Sequence, residues 1–336
     1  MLIATIKEVA KAAGVSVATV SRVLNNDRKV ADRTRVSVED AIQRLNYRPN
    51  LLGRNLRLQQ TRMILVILSS ISNNFHAKII RSIENEGRLH GYNIMLCATH
   101  DDRKIEAAYL ELLKNKMADG IIFLSTTLTA LEMKELGRDY PIIQCGEYYE
   151  GIDVPIVSVD NEMAAFTAVS HLAAIGRKRI AHITVSNDII STRLRLSGYM
   201  RALKENNLPY SEHLVAYARY GYGSAYAAME NLLSHDTKPD AVFAISDRMA
   251  AGAIKCTIDK GLQVPGDIAV AGFDNTDITP IYNPSITTMS QSEQDMGAAA
   301  MRILVERIGG SEEIPFRFFK YSLIVRDSTD PTHTEQ

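Results

Sequence analysis

The chain lacks most of what an enzyme, a membrane protein or a secreted disulfide scaffold needs. Its 336 residues include three cysteines, Cys97, Cys145 and Cys256. They are widely separated, show no paired-ligand spacing and sit in apolar stretches, so they read as buried reduced thiols rather than a disulfide or metal site. No apolar run reaches membrane length, and Lys7 and Glu8 interrupt the opening Met1-Leu2-Ile3-Ala4 too early for a signal peptide. A cytoplasmic location without membrane association is expected. There is no phosphate-binding loop, Gly-x-Ser-x-Gly elbow, zinc-ligand helix motif or Gly-x-Gly-x-x-Gly fingerprint. The eight histidines are scattered, and His100 beside Asp101 and Asp102 reads as a loop after a strand rather than an acid–base or metal cluster. No catalytic residue, metal or cofactor is expected.

What is present is a charge asymmetry. The formal charge of −1 conceals a segment 1–60 with eleven Lys/Arg and five Asp/Glu, so +6 stands against −7 for the remainder. A small basic head on a mildly acidic body suits a polyanion-binding module attached to something else. Within the head, Thr5 and Glu8 have capping-box spacing, which starts a helix at Ile6. Ile6, Val9, Ala10 and Ala13 recur on one face until Gly14 ends the helix. Ser16 is a good N-cap for a second helix, Val17 to about Leu24, with Val20, Val23 and Leu24 inward and Val17, Ala18, Ser21 and Arg22 outward. Two short helices joined by a glycine turn make a helix-turn-helix, whose second helix fits the major groove. A third helix is expected from about Asp32 to Asn46, packing through Val38, Ala41, Ile42 and Leu45, with Tyr47 and Pro49 ending it. Asn50 to Leu58 is shorter than the ~12–15 residues an isolated helix needs in water, and Gly53 weakens it further. It is expected to order only on DNA.

The stretch Thr5 to Asn25 closely resembles the headpiece of the lactose/galactose-repressor family of bacterial transcription regulators. Leu45-Asn46-Tyr47-Arg48-Pro49-Asn50 and Gly53-Arg54-Asn55-Leu56 resemble that family's third-helix end and hinge. Later segments resemble its effector-binding core, with wording closest to the nucleoside-responsive (cytidine) repressor branch. The resemblance implies paired hinge helices in the minor groove, Leu56 wedged between base pairs, and a target with a central CG step.

From Met63 onward, short apolar runs alternate with amphipathic helices. The runs Met63–Leu68, Asn93–Ala98, Gly120–Leu124, Pro141–Cys145, Arg179–Thr184, Asp240–Ile245 and Asp267–Gly272 read as buried strands. Helices are expected over Phe75–His90, Arg103–Lys116, Met163–Ala174, Leu194–Glu205, Tyr226–Leu233 and Met249–Lys260. Such alternation predicts parallel sheets with helices on both faces, in two lobes. The resemblance sharpens this to a type I periplasmic-binding-protein fold with crossings near Asp160, Gln291 and Tyr321. The expected fold class is therefore an all-α helix-turn-helix head plus an α/β two-lobed core. Residues 1–49 are the head, 50–60 the hinge and linker, and 61–336 the effector-binding and dimerisation core. Lobe one takes about 61–160 and 292–320, lobe two about 161–291 and 321–330. After Val325 the chain is polar without heptads, so a homodimer without a tetramerising helix is expected.

Candidate DNA contacts divide by chemistry. Arg22 can donate two hydrogen bonds to guanine, and Val17 and Ala18 suit thymine methyl groups. Thr5, Ser16, Thr19, Ser21, Asn25 and Thr34 carry short polar groups of the kind that contact phosphates, and Asn50 joins them at the hinge. The plainer readings are a solvated arginine and ordinary helix caps. In the core, ligand groups belong at the C-terminal ends of strands. Ser69 ends the first strand and Phe75 opens the next helix, where Asn74 and His76 depart from the family's Asn-Pro-Phe-Phe. Asp160 sits at the first crossing, Ser246 ends a strand, and Asp274 follows Gly272-Phe273. Arg195, in Ser-Thr-Arg-Leu-Arg-Leu-Ser-Gly-Tyr, matches the family's ligand arginine, and Tyr220 its stacking aromatic. Asp247 reads as a helix cap. Arginine, carboxylates and an aromatic platform suit a sugar or a nucleoside.

The sequence thus points to a dimeric regulator, expected to repress, whose grip on a pseudo-palindromic double-stranded operator is set by a small-molecule effector. Two other readings stay open: a family member without an effector or controlled by a partner protein, and a solute-binding protein with no DNA role.

Overall fold

The computed structural model describes residues 4–24, 27, 29–47, 60–72 and 74–330. The chain separates into two compact units, Met1–Gln60 and Thr61–Gln336.

The first unit is helical. Helix α1 (Ile6–Ala12) opens on a complete capping box, with the Glu8 N–H donating to Thr5 Oγ1 at 3.4 Å and the Thr5 N–H to Glu8 Oε2 at 2.6 Å. Gly14, at φ +67°, ends it, and the Val15 N–H reaches back to the Ala10 carbonyl at 3.0 Å. Helix α2 (Val17–Leu24) is capped by Ser16 Oγ, which accepts from the Thr19 N–H at 3.1 Å. Helix α3 (Asp32–Arg44) stops two residues short of the expected end. Asn46 takes a left-handed conformation (φ 45°), and the Tyr47 N–H closes the turn on the Ile42 carbonyl at 3.0 Å. That turn swings Leu45, expected inside, to 37% exposure, while Tyr47 packs on the core of Val9, Val20, Val23, Val38 and Ala41. The expected hinge helix Asn50–Leu58 lies outside the described residues.

The second unit contains two six-stranded sheets. The first runs β11-β5-β4-β3-β1-β2, formed by β1 (Met63–Leu68), β2 (Asn93–Ala98), β3 (Gly120–Phe123), β4 (Ile142–Cys145), β5 (Ile156–Val159) and β11 (Phe316–Phe319). The second runs β12-β10-β9-β8-β6-β7, formed by β6 (Ile180–Val185), β7 (Val215–Ala218), β8 (Ala241–Ala244), β9 (Ala269–Phe273), β10 (Thr287–Gln291) and β12 (Tyr321–Ile324). Pairing is parallel except between β10 and β12, where Gln291 faces Tyr321 in antiparallel register. Helices α4 (Asn74–Leu89), α5 (Arg103–Lys114), α6 (Ala130–Asp139), α7 (Asn161–Ala174), α8 (Ile190–Glu205), α9 (Tyr222–Ser234), α10 (Asp247–Asp259) and α11 (Glu293–Ile308) complete the lobes.

The chain passes between the sheets after β5 at Asp160, after β10 at Ser292, and at Lys320 between β11 and β12. The last two passages are tied together, with Ser292 donating from its N–H and its hydroxyl to the Lys320 carbonyl at 3.2 and 2.8 Å. Alanine and glycine let helices approach closely. A Cβ on Gly198 of α8 would stand 2.1 Å from the Glu162 carbonyl of α7.

Candidate effector cleft and nucleic-acid face

A cleft of about 820 Å³ opens between the two sheets of the second unit. Lobe one lines it from the ends of β1, β3 and β4 and the start of α4; lobe two does so from β6, the first turns of α8 and the loop after β9. This follows from parallel strand order, which gathers the C-terminal strand ends of each sheet at one edge.

Arg195 is the best-held polar side chain there. It is 8% exposed, donates from Nε to Asn161 Oδ1 at 2.9 Å and from Nη1 to the Ile245 carbonyl at 2.8 Å, and brings Nη2 within 3.7 Å of Asp274 Oδ1. Its guanidinium lies over the Phe273 ring, 3.6 Å from the centroid. Asp274 also accepts from Gln291 Nε2 at 2.8 Å. Burial raises the Asp274 carboxyl well above its ordinary range, against the pull of Arg195. Its φ of 103°, unusual for a residue with a Cβ, turns the side chain into the cleft.

Of the expected effector residues, Ser69, Phe75, Arg195, Tyr220 and Asp274 line this one cleft. Asp160 and Ser246 do not line it. Asp160 turns its carboxylate to the Met163 N–H at 2.9 Å, capping α7, because the crossing chain enters a helix there at once. Ser246, two residues past the end of β8, is the N-cap residue of α10 and is 1% exposed. Asp247 is structural, though not as a cap: it is buried and accepts from Thr276 N–H and hydroxyl at 2.7 and 2.9 Å and from Thr288.

The cleft also holds groups that sequence reading did not name. Glu147, past β4, accepts from the Ser191 hydroxyl of α8 at 2.5 Å, linking the lobes, and burial raises its pKa. Outside the lining, Lys78 of α4 makes a second link between the lobes, donating to the Asn275 carbonyl at 2.6 Å. Gln144, at the end of β4, and Tyr149 line the lobe-one wall, where His76 is pushed down to about 4 by burial and is neutral at pH 7. A polar residue next to the C-terminal end of an apolar strand is the available signal for Gln144.

On the head, Val17 is 40% exposed, and Ala18 and Arg22 are exposed beside it on α2. Thr5 and Ser16 cap α1 and α2, and Thr19, Ser21 and Thr34 are half-buried. Asn25, Asn50 and Leu56 lie outside the described residues. No described helix is long and apolar enough to cross a membrane, and no group of three or more metal-ligating side chains occurs among the described residues.

Residues 61–322 match the model for periplasmic binding proteins and the sugar binding domain of the LacI family, and residues 5–50 match that for bacterial regulatory proteins of the lacI family. Catabolite control protein A of Priestia megaterium is 38% identical over 90% of this chain and 92% of its own. The HTH-type transcriptional repressor CytR of Escherichia coli is 35% identical over 97% of this chain and 96% of its own. The solved lac repressor dimer bound to operator superposes with a TM-score of 0.89 at 25% identity, over 97% of this chain and 99% of that one. The likeness thus extends over several branches, the cytidine repressor among them. The chain belongs to the LacI family of bacterial regulatory proteins, DNA-binding transcription regulators with a sugar-binding-type core, and not to the enzymes.

Proposed function

We propose that the protein is a cytoplasmic, homodimeric repressor that binds a pseudo-palindromic operator and loses or gains grip when a sugar or nucleoside enters the cleft. The observation that carries this is the outward row Val17, Ala18 and Arg22 on α2 of a basic helix-turn-helix head. That row offers a bidentate donor for guanine and small apolar groups for thymine. Thr5, Ser16, Thr19, Ser21, Asn25, Thr34 and Asn50 position the head on phosphates, and Leu56 kinks the central step.

Exposed apolar side chains support self-association. Met95 and Leu96 lie on the edge strand β2 at 40% and 45% exposure, and Ile281 of lobe two is 81% exposed. In the cleft, Arg195 and Asp274 bind ring hydroxyls, with Phe75 and Tyr220 as apolar faces and Ser69 at the lip. The effector changes the angle between lobes, which shifts the two hinge segments of the dimer relative to each other. Coupling of about 1–3 kcal/mol changes operator affinity roughly 5–150-fold.

The test is selection of binding sites from random duplex by the purified full chain, followed by sedimentation with and without the selected site. A two-fold-symmetric consensus bound by a dimer is expected. Recovery of no consensus, or a monomer at micromolar concentration, counts against the reading.

A further inference from the structure

Among the described residues, eight buried side-chain polar atoms lack a hydrogen-bond partner, and three of them belong to side chains lining the cleft: His76 Nδ1, Ser125 Oγ and Gln144 Nε2. All three stand on lobe one, at the start of α4, just past β3 and at the end of β4. The opposite wall is different in kind. Arg195 there is held by Asn161 and the Ile245 carbonyl and lies 3.7 Å from Asp274, with donors left over for a ligand. Folded proteins keep few buried polar atoms unpaired because each one is destabilising. A concentration of them along one wall of a ligand-sized cleft marks groups held for something that enters.

The chemistry of the wall narrows what that is. Gln144 Oε1 is engaged, accepting from the Tyr149 N–H at 2.9 Å, so the amide's NH2 is what remains. His76 is 8% exposed, and burial keeps its ring neutral at pH 7. Ser125 can donate or accept. These three groups offer hydrogen bonds and no positive charge; the cationic side chains of the lining, Arg193, Arg195 and Arg248, stand on the lobe-two wall. The three atoms are shielded from solvent as they stand, so a ligand pairs them by drawing the side chains round toward the cleft that they line.

We propose that His76 and Gln144, assisted by Ser125, are specificity-determining residues that select an uncharged effector presenting hydroxyl groups toward lobe one, against the phosphorylated or deoxygenated form of the same molecule. A free sugar and the ribose of a nucleoside share this chemistry. The inference rests on the reading of the cleft as the effector site.

The full chain is first screened by thermal shift and calorimetric titration with D-ribose, D-glucose, cytidine and adenosine. Each probe is accompanied by its phosphate ester and by analogues lacking one hydroxyl. Binding of a sugar alone or a nucleoside alone distinguishes the two sources. For a probe that binds, at least one deoxy analogue is expected to bind about tenfold or more weakly, and His76→Phe and Gln144→Leu are each expected to weaken the hydroxylated probe by a similar factor. Against the deoxy analogue that lacks the hydroxyl paired by His76, wild type and His76→Phe should be equal. The unliganded Tm of His76→Phe should match or exceed that of wild type, since an unpaired buried atom is removed, whereas a packing role would lower it. Gln144→Leu also strands the Tyr149 N–H, so His76→Phe decides the matter if that variant does not fold. Equal affinity of wild type and His76→Phe for the hydroxylated probe overturns the proposal while leaving the effector site standing. So does a phosphate ester that binds as tightly as its parent. If no probe raises the wild-type Tm, the sugar-or-nucleoside reading itself fails and takes this inference with it.

Discussion

Arg195 and Asp274 form a buried pair on the lobe-two wall of the cleft. Nη2 and Oδ1 are 3.7 Å apart with both side chains nearly sealed from water, at 10% and 7% exposure. Removing Arg195 takes the nearby cation from a carboxyl that burial already pushes well above its ordinary range, and breaking a buried pair costs up to about 3–5 kcal/mol. Arg195→Leu is therefore expected to destabilise the core by roughly that amount and to abolish effector response. Urea denaturation of the full chain measures the first and titration with the bound probe the second. A variant as stable as wild type would mean that the pair contributes nothing to the fold.

His182 makes a pH prediction. It is fully buried between Tyr199 and Phe243, its Nδ1 lies 2.9 Å from the Phe243 carbonyl, and burial pushes its pKa down to about 4 from 6.5. Below pH 6.5 the unfolded chain takes up a proton that the folded ring refuses, so the folded state loses stability as pH falls from about 6.5 to about 4 and no further from this group. At about 1.36 kcal/mol per pH unit, roughly 2–3 kcal/mol is lost between pH 7.5 and 4.5. His182→Gln, which keeps a donor for Phe243, should lose less over the same interval by about that difference. Parallel pH curves for the two proteins would exclude His182 as the cause.

Packing of α8 on α7 is tested at Gly198. A methyl group there would sit 2.1 Å from the Glu162 carbonyl and 2.9 Å from Ala165 Cβ, and backbone cannot yield as a flexible side-chain tip does. Helix propensity alone favours Gly→Ala by up to about 1 kcal/mol, but overpacking costs about 1–3 kcal/mol and should win. Gly198→Ala is expected to lower Tm, and because α8 carries Arg195, to weaken ligand binding as well. A rise in Tm would show that the helices can separate freely.

How much of this was legible in the sequence depended on whether a residue's job is local. The head was readable because caps and turns are short-range: Thr5 with Glu8, Gly14 and Ser16 each act within a few residues. The strands named from the sequence are β1, β2, β3, β4, β6, β8 and β9, all within two residues of their bounds, because each is a compact apolar run. Strands β5, β7, β10, β11 and β12 are not legible in this way, β10 for the opposite reason. Its Thr287 and Thr288 look polar, but their hydroxyls are consumed by the Arg326 carbonyl and by Asp247, partners far away in the chain. Helix α11 escaped notice because it is buried on several sides and shows no clean stripe. In the cleft, Arg195 and Asp274 stood out through their motifs, whereas Glu147 acquires its meaning only when Ser191 arrives from the other lobe. Asp160 and Ser246 had suitable positions in sequence; which way their side chains turn depends on the helices that follow them.

Arg22 carries the last prediction. It is exposed one turn beyond Val17 and Ala18 on a helix held from behind by Val20 and Val23. If it reads a guanine edge, Arg22→Ala should cost about 1–3 kcal/mol per half-site on the selected operator and relax preference at one base pair in each half. If it only neutralises a phosphate, binding to operator and to random duplex should fall together, and the salt slope should drop by about one per head. Anisotropy titrations of both duplexes at several salt concentrations separate these outcomes. Neutralising roughly six to ten phosphates across the dimer predicts a steep slope for the wild-type protein. The loss confined to operator is the one expected, because Arg22 shares its exposed face with Val17 and Ala18, whose apolar side chains have no use against phosphate.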